Sequence, residues 1–287
     1  MATPRSDLRA TPRADASSRL EKRLARSMAS AIEDFRMISE GDRILVAVSG
    51  GKDSFTLHHL LTALKSRAPV TFSLVAVTID QGHPGFAGHV LTEYMRERGY
   101  EFKMVREDTY GVVTDKIPAG KTRCSLCSRL RRGILYRLAT ELGCSKIALG
   151  HHRDDVIETL LLNLFFSGQL KAMPPKLVSD DGAHVVIRPL AYCSAQDIAA
   201  FAAQMHFPIL ACGVCAAQTD LQRQAMGALL SNLEREHADV RSNALAALKN
   251  VRPSHLLDAG LWRRLGLDVA RDEIDRPENG GPSDRRG

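Results

Sequence analysis

A doubly wound, mostly parallel α/β sheet with helices on both faces is the fold the sequence predicts, on three observations. Short apolar runs rich in β-branched residues, at 43–48, 70–80, 101–105, 146–150 and 185–190, alternate with helical patterns of ten to twenty residues. The first run passes straight into the glycine turn Ser49-Gly50-Gly51, which opens a helix. A chain of 287 residues that is 44% hydrophobic can bury the core of one large domain.

Taken in order, Leu20 to Met37 reads as an amphipathic helix with Leu24, Met28, Ile32 and Phe35 near one face. Arg19, Lys22, Arg23 and Arg26 cluster at its start, as a solvated basic face on the domain edge or as an RNA contact. Gly41-Asp42 breaks that helix ahead of the strand Arg43 to Val48, and Phe55 to Leu64 carries the next helical pattern. Val70 to Asp80 is a second strand with Asp80 at its carboxyl end, followed by a helix near Val90 to Arg98 and a strand from Glu101 to Val105. A helix from Cys124 to Leu142 leads to the strand Lys146 to Gly150, then a helix from Val156 to Phe165, a strand from Val185 to Leu190 and a helix from Leu221 to Glu234. Residues 1–18 read as a disordered tail, 19–267 as one domain with an N-terminal helix and a C-terminal helical part, and 268–287 as a second disordered tail.

No apolar run approaches the roughly 18–20 residues of a membrane span, and the N-terminus lacks the apolar core of a secretory signal. Acids interspersed among the first arginines argue against a transit peptide, so the chain is expected in the cytoplasm. A net charge of +6 fits a phosphate-bearing partner without demanding one. Six cysteines are too few and too widely spaced for a disulfide scaffold in a chain this long, which points to metal or redox use in a reducing compartment.

In an open α/β sheet ligands sit beyond the carboxyl ends of the strands, so Ser49, Asp80 and the Gly150 turn are expected to converge on one crevice. Ser49-Gly50-Gly51-Lys52-Asp53-Ser54 falls where unpaired N–H groups of a helix start point outward, and two glycines let a phosphate approach the backbone. It is not a Walker A loop, because Val46 and Asp53 stand where that loop needs Gly and Ser or Thr. Asp53 instead offers a carboxylate to magnesium; the alternative is an ordinary turn capped by Ser49 or Asp53. Gly150-His151-His152-Arg153-Asp154-Asp155 puts two histidines and two acids at the fourth strand's end, as metal and phosphate contacts or as a helix cap.

Cys124-Ser125-Leu126-Cys127 and Cys212-Gly213-Val214-Cys215 both lie at or just before helix starts, where the dipole favours thiolate. Four paired thiolates could hold zinc, hold an iron–sulfur cluster, or work as redox pairs. Cys144 and Cys193 lie in apolar surroundings and read as buried structural thiols.

Ser49 to Ser54 resembles the SGGxDS pyrophosphate loop of the PP-loop ATPases, which split ATP between its α and β phosphates and adenylate a substrate. Together with Gly120 to Cys124, Cys127 to Gly133, Gly150 to Asp155 and Met173-Pro174-Pro175-Lys176-Leu177, the chain from about 20 to 256 is similar to the tRNA 2-thiocytidine biosynthesis branch of that family. The resemblance implies ATP, Mg²⁺ and a [4Fe–4S] cluster as cofactors, with Cys124, Cys127 and Cys215 as cluster ligands and Cys212 as an extra. It implies Ser49, Gly50, Gly51, Lys52, Asp53, Ser54, Asp80, His152, Asp154 and Asp155 at the nucleotide, with Asp53 on magnesium. Lys52, Asp53 and the three cysteines then carry the catalysis. Ala211 to Ala217 departs from the branch's usual Pro-Cys-Asn-Leu-Cys-Gly-Ser, though both cysteines survive.

The implied reaction is ATP-dependent 2-thiolation of cytidine at position 32 of the tRNA anticodon loop, with sulfur from a donor such as a cysteine desulfurase and with a homodimer as an option. Arg129, Arg131 and Arg132 are the first candidates for tRNA phosphates, ahead of Lys171 and Lys176. Adenylation with another nucleophile, or a non-catalytic RNA-binding protein with a Cys₄ zinc site, are the rival readings.

Overall fold

The computed structural model describes residues 12–116, 124–179, 182–210 and 221–268. The side chains of 12–18, Cys124 and Ser125 are outside that description. Helix α1 spans Pro12–Asp34, so part of the expected N-terminal tail is helical; proline at a first helical position costs no hydrogen bond, and the Ala, Arg and Ser that follow tolerate a helix. The rest of that tail and all but Asp268 of the C-terminal one lie outside the described residues.

The chain divides into two compact units, 1–238 and 239–287. The first holds a six-stranded sheet in the order β3-β2-β1-β4-β6-β5. Strands β1 (Asp42–Ala47), β2 (Phe72–Asp80), β3 (Phe102–Arg106), β4 (Lys146–Ala148) and β6 (Val185–Ile187) pair in parallel, while β5 (Lys176–Val178) runs antiparallel along β6 as an edge. The proline-bearing motif Met173 to Leu177 therefore ends in a strand that was not expected. Proline also ends β6 early: Pro189 starts a 3₁₀ turn, Pro189–Tyr192, where strand was expected to Leu190.

Alternation along the central strands sorts the helices onto two faces. Ile44, Val46 and Val48 point to one side and pack with Leu24 and Met28 of α1, Phe55, Leu57 and Leu60 of α2 (Lys52–Lys65), Leu91 and Met95 of α3 (Gly88–Glu97), and Ile198 and Phe201 of α7 (Ala195–Gln204). Leu45, Val75, Val77 and Ile147 point to the other and meet Leu138 and Ala139 of α5 (Cys124–Glu141). Arg23 of α1 makes a two-pronged pair with Asp197 of α7, so this part of the basic helix face is engaged with the protein. Helices α4 (Thr109–Lys116), α6 (Arg153–Phe166) and α8 (Leu221–Glu236) complete the first unit's described helices. The second unit contains α9 (Val240–Lys249) and α10 (Ala259–Leu265), with Trp262 donating its indole N–H to the carbonyl of Leu256 (2.7 Å).

At the amino ends of the two central strands, β1 and β4, Asp42 and Lys146 form a buried ion pair, the two residues 8% and 7% exposed. Ser145 Oγ donates to Asp42 Oδ1 (2.7 Å) and the Ser39 N–H to Oδ2 (2.6 Å). Burial pushes the Asp42 carboxyl up, but the hydrogen bonds from Lys146, Ser145 and Ser39 outweigh it and hold its pKa below the usual value. That contribution is complete above the unfolded carboxylate value and is lost as pH falls through the lowered folded one. His58, pushed down to about 4 by burial and then by the charge of His59, adds a second acid-labile group: its contribution is present above the unfolded histidine value and fades as pH falls from there toward 4. Lys146→Met is expected to cost about 3–5 kcal/mol in urea unfolding, because Asp42 stays buried and uncompensated, while the double variant with Asp42→Leu recovers most of it.

Candidate active site

The sheet order reverses between β1 and β4, and the loops leaving those two strands flank one cavity of ≈ 740 Å³. The loop after β1 is shorter than expected, because Lys52, Asp53 and Ser54 already form the first turn of α2. Gly50 takes φ +82°, a conformation that disfavours a side chain, and its carbonyl accepts from the Leu210 N–H (2.9 Å). Ser54 Oγ donates to the Gly51 carbonyl (2.8 Å) and accepts from the Ser49 N–H (3.2 Å), which closes the turn on itself.

Across the switch, the loop after β4 is seated on that turn. A Cβ on Gly150 would lie 3.2 Å from both the Asp53 carbonyl carbon and the Ser54 nitrogen. The His152 N–H donates to Asp155 Oδ2 (2.9 Å) at the start of α6, so the motif does cap the helix. Its side chain still faces the cavity, with Nε2 3.8 Å from Asp53 Oδ1 and Nδ1 3.5 Å from Asp155 Oδ2. Capping and cavity contact are therefore carried by the same residues.

Of the residues expected at the nucleotide, Ser49, Gly51, Asp53, Ser54, His152 and Asp155 line the cavity. Gly50 supports the turn from behind, and Lys52 Nζ lies 2.5 Å from Asp53 Oδ1. Two of the expected residues stand off the cavity wall. Asp80 turns back, accepting from the Gly82 N–H (3.0 Å), and the next residue, Gln81, takes the place at the cavity wall. Asp154 is 6% exposed and accepts from the Ala195 N–H (2.8 Å), which ties α6 to α7; it is not among the lining residues.

Arg131 and Arg132 of α5 line the cavity, whereas Arg129 is exposed and does not. Lys176 is committed elsewhere, donating to the Arg36 carbonyl (2.6 Å), and Lys171 is exposed. Cys127 is half-buried and its Sγ donates to Gln81 Oε1 (3.2 Å), so this thiol sits directly behind the cavity wall. Cys212 and Cys215 lie outside the described residues, as does the Cys124 side chain. Cys144 and Cys193 are buried, and burial raises both thiols, Cys193 to about 12.

Sequence reading missed Gln81, His83, Tyr136, Arg188 and Arg223, all of which line the cavity, as does His151 of the Gly150 motif. Burial pushes the His151 imidazole down to about 4, and its Nδ1 is buried with no hydrogen-bond partner among the described residues. Arg188 directly follows β6, and the strand-end rule could have found it; it donates to the Pro174 carbonyl (2.7 Å). Arg223 comes from α8, next to the second cysteine pair in sequence, and lies 3.4 Å from Asp155 and 3.3 Å from Glu158. No periodicity or spacing pointed to it.

Residues 20–209 match the family model described as PP-loop domain. The chain is 65% identical over 254 residues to a tRNA-cytidine(32) 2-sulfurtransferase of Sorangium cellulosum, covering 88% of this chain and 90% of that protein. A protein of the same name from Escherichia coli O127:H6 is 54% identical over 264 residues, covering 92% and 84%. Among solved structures, the U34-tRNA thiolase NcsA from Methanococcus maripaludis, seen with its [4Fe–4S] cluster, superposes with a TM-score of 0.67 at 23% identity over 81% of this chain and 79% of its own. That likeness establishes the fold.

The contact at Gly150 is with backbone, which cannot swing aside as a flexible side chain would. Gly150→Ala is expected to leave the protein folded with a lower denaturation midpoint, and to weaken triphosphate binding about tenfold or more in calorimetric titration.

Proposed function

The chain belongs to the tRNA-cytidine 2-sulfurtransferase branch of the PP-loop family, and from that premise we propose that it replaces the C2 oxygen of cytidine 32 in the tRNA anticodon loop with sulfur, at the expense of ATP. The observation that carries this reading is the shared cavity: the turn 49–54, the His152 and Asp155 side chains, two arginines of the cysteine-bearing helix and the glutamine bonded to Cys127 all border one space.

The chemistry requires two displacements. The cytidine O2 attacks the α-phosphorus of ATP, the bond to the bridging oxygen breaks and pyrophosphate leaves; a hydrosulfide then forms the C2–S bond, the C2–O bond breaks, and AMP departs carrying the former O2 while the sulfur gives up its proton. Adenylation is needed because an oxygen on C2 leaves poorly until it belongs to a phosphate ester.

For the first displacement, the unpaired N–H groups in the first turn of α2 and the Lys52 ammonium receive the charge that builds on the departing pyrophosphate. Asp53 and Asp155 are oxygen donors on the cavity wall and fit magnesium, which when bound screens the phosphates from one another. His152 lies between those two carboxylates. Arg131 and Arg132 bind the backbone phosphates of the anticodon loop, whose unpaired bases can be splayed into a cavity of this size.

Cys124, Cys127 and Cys215 would hold the [4Fe–4S] cluster. The half-buried Cys127 thiol, placed behind the wall at the amino end of α5, fits such a ligand. The group supplies, when bound through three thiolates, an iron open to carry the sulfur.

Asp53→Ala is expected to abolish tRNA-dependent pyrophosphate release; release at the wild-type rate would remove Asp53 from the adenylation step. Nucleoside analysis of tRNA from cells lacking the protein should show the loss of 2-thiocytidine. Anaerobically purified protein should be brown, with iron and sulfide, whereas colourless protein holding stoichiometric zinc would replace the cluster reading with a structural metal site.

A further inference from the structure

The hydrogen bond that ties the cysteine-bearing helix to the cavity runs through one side chain, Gln81. Its backbone is held by the Tyr110 N–H, which donates to the Gln81 carbonyl (3.0 Å). Its Oε1 accepts from Thr109 Oγ1 (3.2 Å) and from Cys127 Sγ (3.2 Å). Thr109 is 6% exposed, so the carboxamide is anchored from the buried side. At the same time Gln81 lines the cavity beside Ser49 and Asp53.

With Oε1 toward the sulfur the carboxamide complements a thiol, and a metal-bound thiolate calls for its other orientation. A sulfur ligated to iron carries no proton, and two acceptors held 3.2 Å apart repel. Turning the carboxamide half a revolution about its last bond exchanges Oε1 for Nε2, with almost no displacement of heavy atoms. The amide then offers two N–H groups, one to Sγ and one to Thr109 Oγ1, whose hydroxyl oxygen can accept as readily as donate. The same pocket thus complements both forms of the cysteine.

Resting on the cluster reading above, we infer that Gln81 is a positioning residue that donates a hydrogen bond to the ligated Cys127 sulfur, fixing that thiolate's orientation and favouring the reduced cluster. Hydrogen bonds to ligand sulfurs stabilise added electron density and raise the reduction potential, and outer partners of this kind govern how firmly the metal group is held. Thr109 acts one step further out, by keeping the carboxamide in place.

The test uses anaerobically purified, cluster-bearing full-length protein and two variants, Gln81→Leu, which removes the donor, and Gln81→Glu, which puts an acceptor against the thiolate. Reductive titration followed by electron paramagnetic resonance should show the reduced-to-oxidised ratio at the wild-type midpoint falling about tenfold in Gln81→Leu, which is 59 mV for a one-electron couple. Iron release to a chelator should be fastest in Gln81→Glu, intermediate in Gln81→Leu and slowest in wild type. Thr109→Val should shift the midpoint in the same direction by less. Wild-type midpoint and iron-release rate in both Gln81 variants would overturn the inference while leaving the cluster standing. Wild-type protein that purifies without iron would overturn the cluster reading, and the inference with it.

Discussion

The site depends on how closely two backbones approach at the centre of the sheet. Gly150, leaving β4, lies so near the first turn of α2 that even one methyl group would press on the main chain of Asp53 and Ser54. That contact is possible because β1 and β4 are hydrogen-bonded neighbours whose following loops part in different directions at the reversal of strand order. A phosphate-sized turn and a pair of acidic and imidazole side chains are thereby held on opposite lips of one opening.

Register at the far end of the same two strands is held by a different device. Asp42 and Lys146 are buried together, and neither could remain there charged without the other. Parallel strands of six and three residues have few ladder bonds with which to resist slippage, and a one-residue slip would carry Gly150 away from the turn it rests on. The ion pair thus contributes to the site without being near it.

Most of the architecture was legible because it follows from alternation. The central strands were visible as short apolar runs rich in β-branched residues set between helical patterns, and the strand ends pointed to the crevice. What escaped notice has identifiable causes. Strand β5 is only three residues long and follows two prolines, so it shows no pattern. Gln81 was passed over for Asp80 because a carboxylate looks more like a ligand than an amide does, although Asp80 spends an oxygen on the Gly82 turn. Asp154 and Asp155 are indistinguishable in the chain, yet adjacent helical positions face different ways, and one caps α7 while the other borders the cavity. Arg223 follows the second cysteine pair but is remote in sequence from the Asp155 and Glu158 it meets, and only folding brings α8 alongside α6.

One local arrangement bears on which molecules can occupy the opening. The Lys52 ammonium rests on its neighbour's carboxylate at 2.5 Å. A visiting anion must win the lysine from that partner and leave Asp53 without its counter-charge. On the function proposed above, a metal-complexed polyphosphate would deliver a cation for Asp53 in the same event, which inorganic phosphate alone would not. Both side chains are about one-third exposed, so displacing the lysine costs a visitor little, and the pairing tilts the opening toward a solute that arrives with its own cation without closing it to others.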